Sequence, residues 1–124
     1  MRKYLVIGNP IEHSLSPLLH NFWIKKNNIN ALYEKQLLKG NEFEKILSDV
    51  RANKLHGINV TVPFKNKVIP FLDQLSDTAQ KTQSVNTIFK SQNKLVGDNT
   101  DVYGFSEAIK LTNFNPANKK VLIL

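Results

Sequence analysis

Gly57-Ile58-Asn59-Val60-Thr61-Val62-Pro63-Phe64-Lys65 decides how the rest of the chain is read. Ile58, Val60 and Val62 alternate with Asn59 and Thr61, the period of a β-strand with one apolar and one polar face. Pro63 has no N–H to give to a ladder, and its fixed φ suits the first turn of a helix. Lys65 follows in that turn. Two hydrogen-bonding side chains and an ammonium therefore converge where a strand becomes a helix, the place where open α/β sheets bind ligands. A buried strand with a solvated cap and an ordinary surface lysine would look the same from this stretch alone.

Upstream, Lys3 to Ile7 reads as a first strand, ended by Gly8-Asn9-Pro10. Ser16-Pro17 is a helix start, a hydroxyl N-cap followed by proline. Leu18, Leu19, Phe22 and Trp23 then form an apolar helical face that fades at Asn27-Asn28. Ser16 suffices for capping. Ser14 is left over beside a helix N-terminus, where free N–H groups and the macrodipole favour an anion. A second strand runs from Leu32 to Gln36. Gly40-Asn41 breaks it, and Phe43, Ile46, Leu47 and Val50 mark an amphipathic helix reaching about Asn53.

Downstream, Val68, Phe71, Leu72 and Leu75 continue a helical pattern that Pro70 kinks or splits, and Ser76-Asp77 caps a further short helix. Ser84 to Phe89 and Lys94 to Gly97 are strands joined by a turn at Ser91-Gln92-Asn93, too short for anything but an antiparallel pair. That hairpin brings Asn86, at the start of one strand, to the same sheet edge as Asp101, just past the end of the other. If the later strand runs parallel to the rest, Ser14, Ser16, Asn59, Thr61, Lys65, Asn86 and Asp101 all reach one edge. Asn99 or Thr100 caps a helix carrying Phe105, Ala108 and Ile109. Residues 113–118 form a linker, and Lys120 to Leu124 begins a strand that no turn ends.

Composition narrows the field. The 124 residues suffice for one core, and 41% hydrophobic with 22% charged residues is ordinary for a globular domain. No apolar run spans a bilayer, and the start is no signal peptide. The absence of cysteine excludes disulfides and thiolate chemistry and fits a cytoplasmic protein. The net charge of +7 raises nucleic-acid binding, but the lysines are scattered as singles and pairs without interleaved aromatics. His13, His20 and His56 lack metal-ligand spacing, so no metal is expected.

Four motifs in order, Ser14-Leu15-Ser16-Pro17-Leu18-Leu19-His20-Asn21, Gly57 to Lys65, Val85-Asn86-Thr87 and Gly97-Asp98-Asn99-Thr100-Asp101, make the chain resemble the N-terminal, substrate-binding domain of shikimate dehydrogenases. The resemblance implies an α/β fold: a mixed, mostly parallel sheet with one antiparallel strand and helices on both faces. It also implies NADP-dependent interconversion of shikimate and 3-dehydroshikimate in aromatic amino-acid biosynthesis. Ser14 and Ser16 would bind the substrate carboxylate. Asn59, Thr61, Asn86 and Asp101 would hold the ring hydroxyls, and Lys65 with Asp101 would be the catalytic pair. The residues leave open which of the two is the general base. Residues 1–112 would form the shikimate-binding domain. Residues 113–124 would be the linker and first strand of a missing Rossmann domain that binds NADP, so the chain as given is expected to fold but be inactive. Residues 121–124 would be disordered or pair with a second copy, the route to a homodimer. The chain departs from the family pattern at Gln83-Ser84, usually Gly-Ala, and at Val102, usually glycine; both bear on the backbone around Asn86 and Asp101. Quinate/shikimate dehydrogenases using NAD or NADP, and non-catalytic ligand-binding proteins on the same domain, share this outline. The pair Ser14/Ser16 favours shikimate, and the retention of Lys65 and Asp101 argues against a non-catalytic role.

Overall fold

The computed structural model describes residues 1–40 and 42–123; Asn41 and Leu124, parts of the expected breaker and terminal strand, lie outside the described residues. Among the described residues six strands form one sheet: β1 (Arg2–Gly8), β2 (Ala31–Leu37), β3 (Gly57–Val60), β4 (Gln74–Leu75), β5 (Thr87–Ser91) and β6 (Lys94–Asp98). Their order is β2-β1-β3-β5-β6-β4. β1 runs parallel to both β2 and β3, and β4 parallel to β6, while β5 is antiparallel to both of its neighbours. One reversed strand therefore restores β6 to the direction of β1 and β3. The β5–β6 hairpin turns on Gln92 and Asn93, both at positive φ, the geometry a two-residue turn needs to match strand twist.

Period two divides the side chains between two layers. Leu5, Ile7, Ile58, Val60 and Ile88 pack beneath Phe43, Ile46, Leu47 and Val50 of α2 (Phe43–Arg51), the buried stripe of that amphipathic helix. On the other face a smaller cluster of Val6, Ile11 and Tyr33 meets Ile24 of α1 (Ser16–Lys26). Helices thus lie on both faces. Arg51, at the end of α2, grips Asp73 with two hydrogen bonds of 2.7 and 3.0 Å, and Asp73 also accepts the Leu95 N–H. The Arg51 guanidinium holds the Asp73 carboxyl down at about 2.

Several sequence expectations need correction. The strand ends at Val60, and Val62 is 65% exposed rather than continuing the buried row. The chain turns there, with the Phe64 N–H bonded to the Thr61 carbonyl. Lys65 consequently sits in a turn and not in a helix. The helix expected through Val68 to Leu75 is instead a 3-10 turn at Ile69–Phe71 followed by the short strand β4. Val68 is buried and Phe71, Leu72 and Leu75 pack against the same core, so their apolar spacing was real but served irregular backbone. Ser76 does cap α3 (Asp77–Thr82), accepting the Ala79 N–H. The apolar face of α1 is largely outward: Leu18 is 74% exposed and Phe22 59%. In α4 (Asp101–Leu111) no residue is buried, and Phe105 is 70% exposed. Residues 120–123 are exposed and carry no strand assignment.

Candidate functional site

The ends of β1, β3 and β6 and the start of β5 meet at one edge of the sheet, as two parallel connections and one hairpin require. Side chains on one face there are set by register. Val6 faces Asn59 across β1 and β3, Asn59 faces Thr87 across β3 and β5, and Thr87 faces Asp98 across β5 and β6. A polar band therefore crosses the sheet on the face opposite α2.

Past the ends of β3 and β6, Lys65 Nζ donates to Asp101 Oδ2 at 2.7 Å, with the two side chains 32% and 50% exposed. A pair this exposed contributes at most about 1 kcal/mol to folding. The other oxygen, Asp101 Oδ1, accepts from Asn86 Nδ2 at 3.0 Å, the two residues being brought to one edge by the β5–β6 hairpin as expected. Asn86 uses its whole carboxamide. Its Nδ2 also donates to Thr100 Oγ1, and its Oδ1 accepts from the Thr100 N–H and the Thr87 hydroxyl. Asp101 is placed by its helix as well. The side chain of Asn99, 6% exposed, accepts the N–H groups of Asp101 and Val102 and donates to the Ser84 carbonyl. Of the two capping candidates it is Asn99 that satisfies the first turn of α4, where a carboxylate is favoured by the dipole.

Asn59 Nδ2 donates to the Asn86 carbonyl and to Thr87 Oγ1, each at 3.1 Å. Two residues on, Thr61 reaches the same side and lines a cavity of about 240 Å³ with His13, Ser14, Ser16, Val6, Pro10 and Ile11. Gly8 makes room for it: a Cβ there would lie 2.5 Å from Thr61 Cγ2. The side-chain cap expected of Ser16 is not formed. α1 already begins at Ser16, its N-cap is Leu15 without a side-chain bond, and Ser14 Oγ accepts the Ser16 N–H at 3.3 Å. Pro17 occupies the second helical position rather than the first, which moves the helix start back by one residue. Both hydroxyls nonetheless sit at the N-terminus of α1 and beside the cavity.

All seven site residues proposed from sequence thus lie in two adjoining groups: Ser14, Ser16 and Thr61 around the cavity, and Asn59, Lys65, Asn86 and Asp101 in one hydrogen-bonded set. Sequence reasoning missed Thr87, Thr100 and Tyr33. The first two stood inside quoted motifs, and their hydroxyls were signal enough. Tyr33 gave no local sign. The departure at Gln83 falls on a left-handed residue, φ 51°, closing α3, where glycine would avoid a Cβ penalty.

Among the described residues no group of three His, Asp or Glu side chains is placed to hold a metal. His13 lines the cavity, His20 stacks on Tyr33, and His56 accepts the Lys3 N–H. Among the described residues no helix is long and apolar enough to cross a membrane.

Residues 6–88 match the family described as shikimate dehydrogenase substrate binding domain. The chain is 58% identical over 123 residues to a shikimate dehydrogenase (NADP(+)) of Pelagibacter ubique, covering 99% of this chain and 46% of that protein. It is 43% identical over 122 residues to the Pyrococcus furiosus protein of the same name, covering 98% and 44%. Among solved structures, shikimate 5-dehydrogenase from Thermus thermophilus in complex with shikimate superposes with a TM-score of 0.88 at 33% identity, over 96% of this chain and 46% of that one. The Aquifex aeolicus shikimate dehydrogenase gives 0.83 at 41% identity, over 90% and 42%. The chain spans less than half the length of these relatives.

Proposed function

We propose, proceeding from the fact that the chain belongs to the shikimate dehydrogenase substrate binding domain family, that it binds shikimate and 3-dehydroshikimate and moves the proton in their NADP-dependent interconversion. The observation that carries this is the Lys65–Asp101 contact of 2.7 Å, held from the far side by Asn86. Oxidising a secondary alcohol removes a hydride and a proton. A lysine and a carboxylate in contact can pass that proton or hold charge on the oxygen that loses it. Ser14 and Ser16, at the N-terminus of α1, take the ring's carboxylate. Asn59, Thr61 and Asp101 hold the hydroxyls, and Asn86 joins them by trading its bond to Thr100 Oγ1 for the ligand.

NADP, when bound, supplies the hydride acceptor. The residues present do not fit it: the five glycines, at 8, 40, 57, 97 and 104, are isolated, and a pyrophosphate needs closely spaced glycines at a strand-to-helix turn. Residues 1–112 form the substrate-binding unit in this reading, with 113–124 leading toward a nucleotide-binding part. The relatives' greater length and their printed NADP(+) names support that division. Calorimetric titration of shikimate into the chain tests the reading. Saturable one-to-one binding is expected, abolished in an analogue without the carboxylate. Absence of saturable heat, or equal binding of the analogue, would refute it.

A further inference from the structure

His20 and Asn21 close the first quoted motif, yet neither lines the cavity nor joins the Lys65–Asp101 set. Both act on Tyr33. The His20 ring stacks on the Tyr33 ring with centroids 4.2 Å apart and planes within 6°. Asn21 Nδ2 donates to the Tyr33 carbonyl at 2.7 Å, and Asn21 Oδ1 accepts the Tyr33 N–H at 3.0 Å. β2 is an edge strand, so Asn21 fills both backbone valences that the edge leaves open at that residue. Tyr33 itself is 4% exposed and packs with Val6 and Ile11. Its hydroxyl reaches over β1 to Asn59 Oδ1 at 2.6 Å.

The direction of every bond at Asn59 is forced. The Asn86 carbonyl can only accept, so Nδ2 faces it, and the second N–H goes to Thr87. Oδ1 can only accept, so the Tyr33 hydroxyl donates. Burial raises the Tyr33 pKa far above the ordinary phenol value and keeps that proton in place. Asn59 then has no N–H left for a ligand and a single lone pair on Oδ1.

We propose that Tyr33 is a positioning residue of the substrate site: held by His20 and Asn21, its hydroxyl fixes the Asn59 carboxamide so that Asn59 meets the ligand only as a hydrogen-bond acceptor, selecting a hydroxyl over a carbonyl at that point. The part concerning the ligand rests on the proposed function. The arrangement of Asn59 does not.

Two measurements test it. Tyr33→Phe keeps the ring and removes only the donor. Titrated with shikimate, this variant should bind about three- to ten-fold more weakly, the scale of one neutral hydrogen bond. In an Asn59→Ala background the same change should cost almost nothing, because Tyr33 acts through Asn59. An equal loss in both backgrounds would mean general damage to the fold and would overturn the proposal, as would no loss in either. The second measurement needs no ligand. The side-chain amide signals of Asn59 in a ¹⁵N spectrum should be well separated and protected from exchange in the parent chain, and should move and lose protection in Tyr33→Phe. Unchanged Asn59 signals would overturn the proposal. Failure of the parent chain to bind shikimate, with the Asn59 signals behaving as expected, would instead refute the proposed function and leave the Asn59 lock standing.

Discussion

Lys65→Ala should lower kcat for shikimate oxidation by about 10²–10⁴-fold, the span of a positioned proton-transfer group, while KM changes by far less. The assay needs a polypeptide that also carries the nucleotide-binding part proposed above. Joining this chain to the remainder of the Pelagibacter ubique relative, 58% identical to it, provides one. The expectation follows from where Lys65 stands. It lies in a turn after β3, its nitrogen is 2.7 Å from Asp101, and its side chain is only one-third exposed. Its charge and its proton are felt most when charge develops on the reacting oxygen, so the loss should fall on the transition state. Lys65→Arg should restore little, because a guanidinium keeps the charge but does not give up its proton. A variant that loses only affinity would make Lys65 a binding residue and the catalytic assignment wrong.

Replacing Ser14 and Ser16 together by alanine should weaken shikimate binding by about 1–3 kcal/mol, the cost of hydrogen bonds lost to a charged group. The two hydroxyls are not equivalent. Ser14 Oγ already accepts the Ser16 N–H, so it is oriented with its own hydrogen free to donate. Ser16 is the first residue of α1, where the helix leaves N–H groups unsatisfied. Ser14→Ala should therefore cost more than Ser16→Ala, since it removes a donor and loosens its neighbour. Calorimetry on the three variants separates these contributions. Unchanged affinity in the double variant would exclude the serines as the carboxylate site.

The fold was legible wherever a local pattern had a single structural outcome. The alternation at Ile58 and Val60 could only be a strand, and the short connection between β5 and β6 could only be a hairpin. From those two facts the meeting of Asn86 with Asp101 followed by geometry alone. Legibility failed where one pattern fits two backbones. Val68, Phe71, Leu72 and Leu75 have helical spacing and are indeed turned inward, but Pro70 removes an N–H and the segment resolves into a 3-10 turn and a two-residue strand. Val62 continues the alternation, yet the chain has already turned. Ser16-Pro17 suggested the wrong cap because proline is tolerated anywhere in the first turn. The link from Tyr33 to Asn59 was out of reach for another reason. It spans 26 positions and crosses β1, so only the strand order reveals it.

Shikimate added to the ¹⁵N-labelled chain, followed residue by residue, tests the site most directly. Signals of Ser14, Ser16, Asn59, Thr61, Lys65, Asn86 and Asp101 should shift together with one saturation curve, while Glu34, Lys45 and Lys54, which line a separate polar cleft beside α2, stay still. Shifts centred on that cleft, or no saturable shift at the seven residues, would contradict the assignment of the site.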